Sequence, residues 1–272
     1  MTGCGTAASF DGGVPGAYET YLVPLLFEPY AADLAERVRA LGPASVLEVA
    51  AGTGAATRAM ASALPRNVSL VATDLNQPML DQAAALGTAR PVVWKQADAL
   101  QLPFPDRSFD AVVCQFGVMF FPDRARGFAE ARRVLRPGGT FLFNAWDALA
   151  DNELADAVQE SLGAMFPDDP PLFMERLPHG YHDPARIEAD LAAGGFAAPP
   201  RIEPLTLRSR ARSARDAAVA YCYGTPLRHE IESRAPGRLD DAVAAAEAAI
   251  ARRFGKAAVD AKMQAYVVAV EA

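Results

Sequence analysis

Apolar positions along this chain switch between two periods, and the switching organises its first half. Between about residues 44 and 146, short apolar runs occur at Ser45 to Val49, Val68 to Thr73, Pro91 to Gln96, Phe109 to Cys114 and Thr140 to Trp146. Runs of this length bounded by turn residues predict strands. Between them, apolar residues recur every three or four positions. That period predicts helices over about Ala55 to Leu64, over Gln77 to Leu86, and from an Asp123 cap to Leu135. Strand and helix in alternation call for a parallel sheet with helices on both faces, an α/β fold. Phe109 to Cys114 is read as an apolar run and expected to be buried on both faces.

The flanks are less regular. Tyr18 to Tyr30 is aromatic and apolar, with Pro24 and Pro29 expected to interrupt it; the first secure helix is placed at Ala31 to Leu41, stopped by Gly42-Pro43. After the core, residues 151–182 read as a helix and a Pro-rich loop. Asp183-Pro184 is a cap followed by a first-turn proline, opening a helix that ends at Gly194-Gly195. Ile202 to Leu207 reads as a strand, 213–254 as Ala-rich helix broken at Gly224-Thr-Pro226, and Lys262 to Val270 as a last strand. One domain over 1–272 is the economical organisation. Its expected parts are an N-terminal segment at 17–43, a core at 44–146, insertions at 147–182 and 208–256, and stretches at 183–207 and 257–272 that complete the sheet.

Composition changes this picture only at its margins. A formal net charge of −7 argues against a nucleic-acid partner, because an acidic surface repels a phosphate backbone. No apolar run is long enough to span a membrane. Cys4, Cys114 and Cys222 are far apart and odd in number, so neither a disulfide framework nor a metal site is expected, and a reducing compartment fits. Met1 to Gly16 has neither the basic start nor the apolar centre of a secretion signal. It is read as a mobile tail, and the protein as cytoplasmic.

The chemistry concentrates at strand ends. Val46-Leu-Glu48-Val-Ala50-Ala-Gly52-Thr-Gly54 runs from a strand through an acidic residue and small residues into a helix start. Glycines let a ligand approach the backbone, and the helix start offers unpaired N–H groups. Alone, such a turn binds a dinucleotide, a carboxylate or nothing. The second strand ends at Asp74, whose carboxylate is placed to accept from both hydroxyls of a ribose. The third is followed by Asp98-Ala99-Leu100, an acid and apolar surface suited to the amino group and face of an adenine. Three such sites at the ends of successive strands converge on one crevice in an open α/β sheet.

With these motifs the chain resembles the class I S-adenosylmethionine-dependent methyltransferases, in particular the quinone-biosynthesis branch. The resemblance rests on residues 46–54, on Ala72-Thr-Asp-Leu-Asn76 and on Asp98-Ala99-Leu100. It extends to two structural signatures, Leu102-Pro-Phe-Pro-Asp-Arg-Ser-Phe-Asp110 and Arg133-Val-Leu-Arg-Pro-Gly-Gly139. It implies a Rossmann-like, doubly wound, mostly parallel seven-stranded sheet with an N-terminal helical lid and helical insertions. It also implies S-adenosylmethionine as cofactor, S-adenosylhomocysteine as product, and a small-molecule acceptor methylated on O, N or C.

By the same resemblance, Glu48 supports the loop and the methionine amino group, and Gly52 and Gly54 pack against the methionine part. Asp74 holds the ribose with Leu75 and Met79 beside the adenine. Asp98 and Ala99, continued by Leu100, hold the adenine, and Gln115 sits near the reaction centre. Tyr18 and Tyr21 are candidates for a lid over the cofactor. Ala50 stands where the family often has glycine, which narrows the loop.

A general base is sought among His179, His182 and Tyr21, as groups able to take a proton from an acceptor hydroxyl. His179 and His182 lie in the insertion, and the reading as exposed or structural loop histidines is the stronger one. Two other readings stay open: a protein that binds the cofactor without catalysis, and an NAD(P)-dependent oxidoreductase. The latter expects Gly-x-Gly-x-x-Gly, and Thr57 occupies the third position. Neither the acceptor nor the oligomeric state is written in the sequence.

Overall fold

The structure is a computed structural model that describes residues 14–272. Residues 1–13, with Cys4 and most of the expected tail, lie outside the described residues. Val14–Ala17 is one helical turn (α1), so the last part of that tail is helical. Tyr18–Phe27 continues it as a π-helix with Pro24 inside, and Glu28–Leu41 (α2) follows without a break. The two prolines therefore do not interrupt this segment. Pro29 is the second residue of α2, and the chain stays helical through it.

The sheet is built from β1 (Ser45–Val49), β2 (Ser69–Asp74), β3 (Val93–Gln96), β4 (Phe109–Gln115), β5 (Leu135–Trp146), β6 (Arg201–Ala211) and β7 (Val259–Glu271). Their spatial order is β3-β2-β1-β4-β5-β7-β6. The first five strands pair in parallel, and β7 runs antiparallel to both β5 and β6. This is the expected seven-stranded, mostly parallel, Rossmann-like arrangement.

Helices α2 and α3 (Ala55–Ala63) bury Leu34, Val38, Ala56 and Met60 against one face. On the other face α5 (Arg124–Val134) sets Phe128 against Phe141 and Phe143, with α8 (Pro184–Ala193) beside it through Ile187 and Leu191. The remaining helix of the core, α4 (Gln77–Leu86), keeps its expected bounds. The caps behave as sequence chemistry predicts: Asp123 accepts from Arg126 N, and Asp183 from Ala185 N.

Three strand expectations are corrected. β4 is not apolar throughout: Asp110, its second residue, accepts from the amides of Ala44 and Ser45 and pairs with Arg136. β5 begins at Leu135, ahead of Pro137-Gly-Gly139, because the chain bulges there and resumes register at Thr140. β6 extends to Ala211, so residues 208–211 belong to the sheet and the second insertion starts later than 208. Arg208 and Arg210 occupy its outward positions and pair with Asp260 on β7, which masks the alternation in the sequence.

The insertions fold as α6 (Glu153–Met165), α7 (Phe173–Arg176), α9 (Ala214–Gly224), α10 (Leu227–Arg234) and α11 (Leu239–Phe254). Helices α6, α9 and α11 share one apolar cluster with the π-helix. Among the described residues no helix is long and apolar enough to cross a membrane.

The two signature stretches bind each other. Arg133 donates to the carbonyls of Leu102 and Phe104 and pairs with Asp106 and Glu130. They hold β4 and α5 in place at the end of the sheet away from the strand tips.

Candidate functional site

The carboxyl ends of β1, β2, β3 and β4 open onto one cleft of about 240 Å³. The loop after β1 supplies Ala50 and Gly52. Asp74 ends β2, with Leu75 and Met79 just beyond. Asp98, Ala99 and Leu100 follow β3, and Gln115 ends β4. Tyr18 enters from the π-helix. The structure thus gathers residues from five separate parts of the sequence.

Backbone conformation explains the loop. Ala50 has φ +55° and Gly52 φ +56°, both left-handed. The alanine carries a strain of roughly 1–2 kcal/mol there that glycine would not. Its methyl is accommodated by a glycine opposite: a Cβ on Gly117 would lie 2.6 Å from the Ala50 Cβ.

Asp74 ties the loop to β2. Its Oδ2 accepts from Gly52 N at 2.8 Å and its Oδ1 from Asn76 N at 2.8 Å. Burial raises its pKa, and these amide bonds offset only part of that rise. Oδ1 also accepts from Asn76 Nδ2 at 3.3 Å, so the lone pair left for a further donor is on Oδ2. After β3, Asp98 Oδ1 accepts from Leu100 N at 2.8 Å, which folds 98–100 into a tight turn against the cleft. Gln115 Nε2 donates to the carbonyl of Phe27 at 3.1 Å and so anchors the end of the π-helix.

Several proposed residues lie elsewhere. Glu48 is buried behind the loop, where it accepts from the Thr57 hydroxyl. Desolvation pushes its pKa up to about 8. Gly54 faces away from the cleft: a Cβ there would meet the Trp94 ring at 2.8 Å and Ala83 at 3.2 Å. Tyr21 packs half-buried against the apolar core instead of lining the cleft.

His179 is buried and its Nδ1–H donates to the Asp147 carbonyl at 2.8 Å. Burial pushes its pKa down to about 4, so the ring is neutral near pH 7. His182 is exposed and donates from Nδ1 to the His179 carbonyl at 2.6 Å. Neither histidine lines the cleft.

The sequence reading missed the segment after Gln115. Phe116, Gly117, Phe120 and Phe121 line the cleft. The same strand-end rule that located Asp74 and Asp98 points to them, but their apolar character reads as core. Phe116 stacks on Trp146 at 3.9 Å and 12°, with Phe27 and Tyr30 packed around the pair. Glu19 was also missed. From the π-helix it accepts from the Thr53 hydroxyl at 2.5 Å and pairs with Arg58 at 2.6 Å. Among the described residues no cluster of His, Cys, Asp or Glu is arranged to hold a metal ion.

Comparison with known proteins agrees with this geometry. Residues 47–143 match the family model described as methyltransferase domain. Demethylmenaquinone methyltransferase of Deinococcus radiodurans is 43% identical over 99 residues, which are 36% of this chain and 41% of that protein. The match thus spans about two fifths of the curated relative's length.

Among solved structures, the YcgJ protein of Bacillus subtilis aligns over 89% of this chain and 97% of its own, at TM-score 0.54 and 19% identity. Phosphoethanolamine N-methyltransferase 2 of Haemonchus contortus, solved with S-adenosylmethionine, aligns over 94% of this chain and 56% of its own, at TM-score 0.57 and 17% identity. These likenesses concern the fold. The fold is the seven-stranded, mostly parallel arrangement shared with these solved structures. Residues 47–143 are similar to a methyltransferase domain, and over this stretch the chain is similar to a demethylmenaquinone methyltransferase.

Proposed function

We propose that this chain binds S-adenosylmethionine in the cleft and transfers its methyl group to a small molecule admitted beside Phe116 and Phe120. The observation that carries the reading is the convergence of Gly52, Asp74 and Asp98 on one cleft. Asp74 takes the ribose hydroxyls, Leu75 and Met79 flank the adenine, and Asp98 with Ala99 and Leu100 meets its edge. Ala50, Gly52 and Gln115 lie toward the tail of the cofactor and the reaction centre. Residues 44–146 form the cofactor core, 17–43 the cover, and the helices after β5 and β6 the acceptor side.

The residues present fit this cofactor better than a dinucleotide. Among the described residues the lining carries Asp74 and Asp98 and no lysine, arginine or histidine. That field favours a sulfonium cation and opposes a diphosphate. The amide of Gly52, which a diphosphate would need, is already given to Asp74. When bound, S-adenosylmethionine supplies a methyl group already activated by its positive sulfur. The protein's part is to hold an acceptor atom in line and keep water away, and such positioning is worth roughly 7–11 kcal/mol. Phe116, Phe120 and Phe121 supply a dry, flat wall for that purpose. The side chains of His179 and His182 lie outside this lining.

Calorimetric titration with S-adenosylmethionine, S-adenosylhomocysteine and NAD tests the cofactor. Binding of the two sulfur compounds and not of NAD is expected; binding of NAD alone would overturn the reading. A demethylated quinone is the first acceptor to try, because the relative is a demethylmenaquinone methyltransferase and the aromatic wall suits a flat ring. Transfer of labelled methyl to an acceptor separates an enzyme from a protein that merely holds the cofactor.

A further inference from the structure

The end of the sheet away from the cleft carries a second hollow, of about 340 Å³. It lies where the two signature stretches meet. Its walls come from the β3–β4 connection, the last turn of α5, the start of β5 and the Gly194-Gly195 turn after α8. The charged side chains lining it are Asp106, Arg107, Arg132 and Arg133. Asp106 is neutralised by Arg133 at 2.8 Å, and Arg133 is otherwise occupied by Glu130 and two carbonyls. Arg107 and Arg132 therefore set the field.

The chain has 33 acidic residues to 26 basic ones, so an unpaired arginine is the exception. Among the described residues, only Arg66, Arg107, Arg132 and Arg252, of all the arginines, have side chains with no ion pair, hydrogen bond or aromatic contact. Arg107 and Arg132 share one hollow, and each is directed by something other than its charge. Arg107 has φ +56°, a left-handed backbone that L side chains rarely adopt. Its amide donates to Arg133 O at 3.0 Å, and the next amide, Ser108 N, donates to Val134 O at 2.8 Å. The end of α5 thus fixes a conformation that glycine would hold without strain. The stem of Arg132 runs along the glycine turn: a Cβ on Gly195 would lie 3.7 Å from its Cδ and its Nη1.

Two planar guanidinium forks with every donor unused, beside an acid already neutralised, match an anion with two charges and several oxygens. We propose that this hollow binds a phosphate monoester dianion between Arg107 and Arg132, either as free phosphate or on a small molecule. A dianion balances both arginines, where a carboxylate balances one. Strain at Arg107 is then stability given up to hold a charge in place. The site goes beyond the cofactor reading and stands without it.

Calorimetry at fixed ionic strength and about pH 8, where a phosphate monoester is a dianion, tests the proposal. The probes are inorganic phosphate, glycerol 3-phosphate and dimethyl phosphate, a diester with one charge. The first two should bind, and dimethyl phosphate should bind at least about tenfold more weakly. Tighter binding of glycerol 3-phosphate than of phosphate identifies an ester as the occupant, and the reverse identifies the free ion. Arg107→Gly and Arg132→Gln should each weaken phosphate by about tenfold or more, as for the loss of a charged hydrogen bond. Arg66→Gln, which removes an unpaired charge outside the hollow, should leave it unchanged. Arg107→Gly also relieves the left-handed backbone, so its melting temperature without phosphate should equal or exceed that of wild type, separating lost binding from lost fold. No phosphate binding by wild type, equal weakening in Arg66→Gln, or equal binding of all three probes would overturn the proposal and leave the two arginines as solvated charge.

Discussion

The amide of Gly52 donates to the carboxylate of Asp74 at 2.8 Å across 22 residues of chain. One side chain therefore shapes the glycine loop and faces the cleft. Asp74→Ala removes both roles, and cofactor affinity should fall by about a hundredfold or more, as for the loss of charged hydrogen bonds in a partly dry site. Asp74→Asn keeps a single accepting oxygen for Gly52 or Asn76 and should fall between the two. Calorimetry with S-adenosylhomocysteine decides it; unchanged affinity in Asp74→Ala would remove Asp74 from the site.

Glu48 predicts a pH dependence of stability. Its pKa rises from 4.5 unfolded to about 8 folded, chiefly through desolvation. Between those values the native state binds the proton and the unfolded state does not, so stability falls as pH rises through the window. Glu48→Gln keeps an oxygen for the Thr57 hydroxyl and cannot ionise. Its advantage over wild type should grow by roughly 1.4 kcal/mol for each pH unit crossed, reaching a few kcal/mol at the alkaline end. Urea midpoints of the two proteins across the window test this. Parallel curves would show that Glu48 does not titrate there.

His179 predicts the opposite limb. Burial lowers its pKa from 6.5 to about 4, so the unfolded state binds the proton first on acidification. Stability should drop as pH falls through that range and be independent of this group above 6.5. His179→Asn retains a donor for the Asp147 carbonyl but no titration. The difference between the proteins should approach about 3 kcal/mol at the acid end. A difference that does not vary with pH would contradict the assignment.

Ala50 and Gly117 predict a coupled pair. A methyl on Gly117 would lie 2.6 Å from the Ala50 Cβ and 2.7 Å from Cys114 Sγ. Gly117→Ala should cost about 1–3 kcal/mol by overpacking. Ala50→Gly in the same chain should restore part of that, the Cys114 contact remaining. Thermal melts of both singles and the double measure the coupling, and strict additivity would mean the two positions do not touch.

The parts of this molecule that were legible are those whose cause is local. Helix Gln77–Leu86 was found to the residue because Pro78 opens it and Gly87 closes it. Asp74 and Asp98 follow from their place at strand ends. The lengths of β6 and β7 were not legible, because they are set by eleven cross-strand pairs between distant segments. Glu19 was invisible for the same reason: its partners lie 34 and 39 residues away. The π-helix defeats a search for helical period, and its prolines read as breaks. The distinction between Gly52, at the cleft, and Gly54, against Trp94, needs the third strand in place.

The sheet's two borders are unequal. At one border β3 is only four residues long; at the other, β6 presents eleven. A strand of that length with open amides is a template for a second chain. Here Pro204 withdraws one N–H, and Arg201, Arg208 and Arg210 crowd the margin with bulky charge. Proline and charge on this outer strand thus act against its pairing with a second copy.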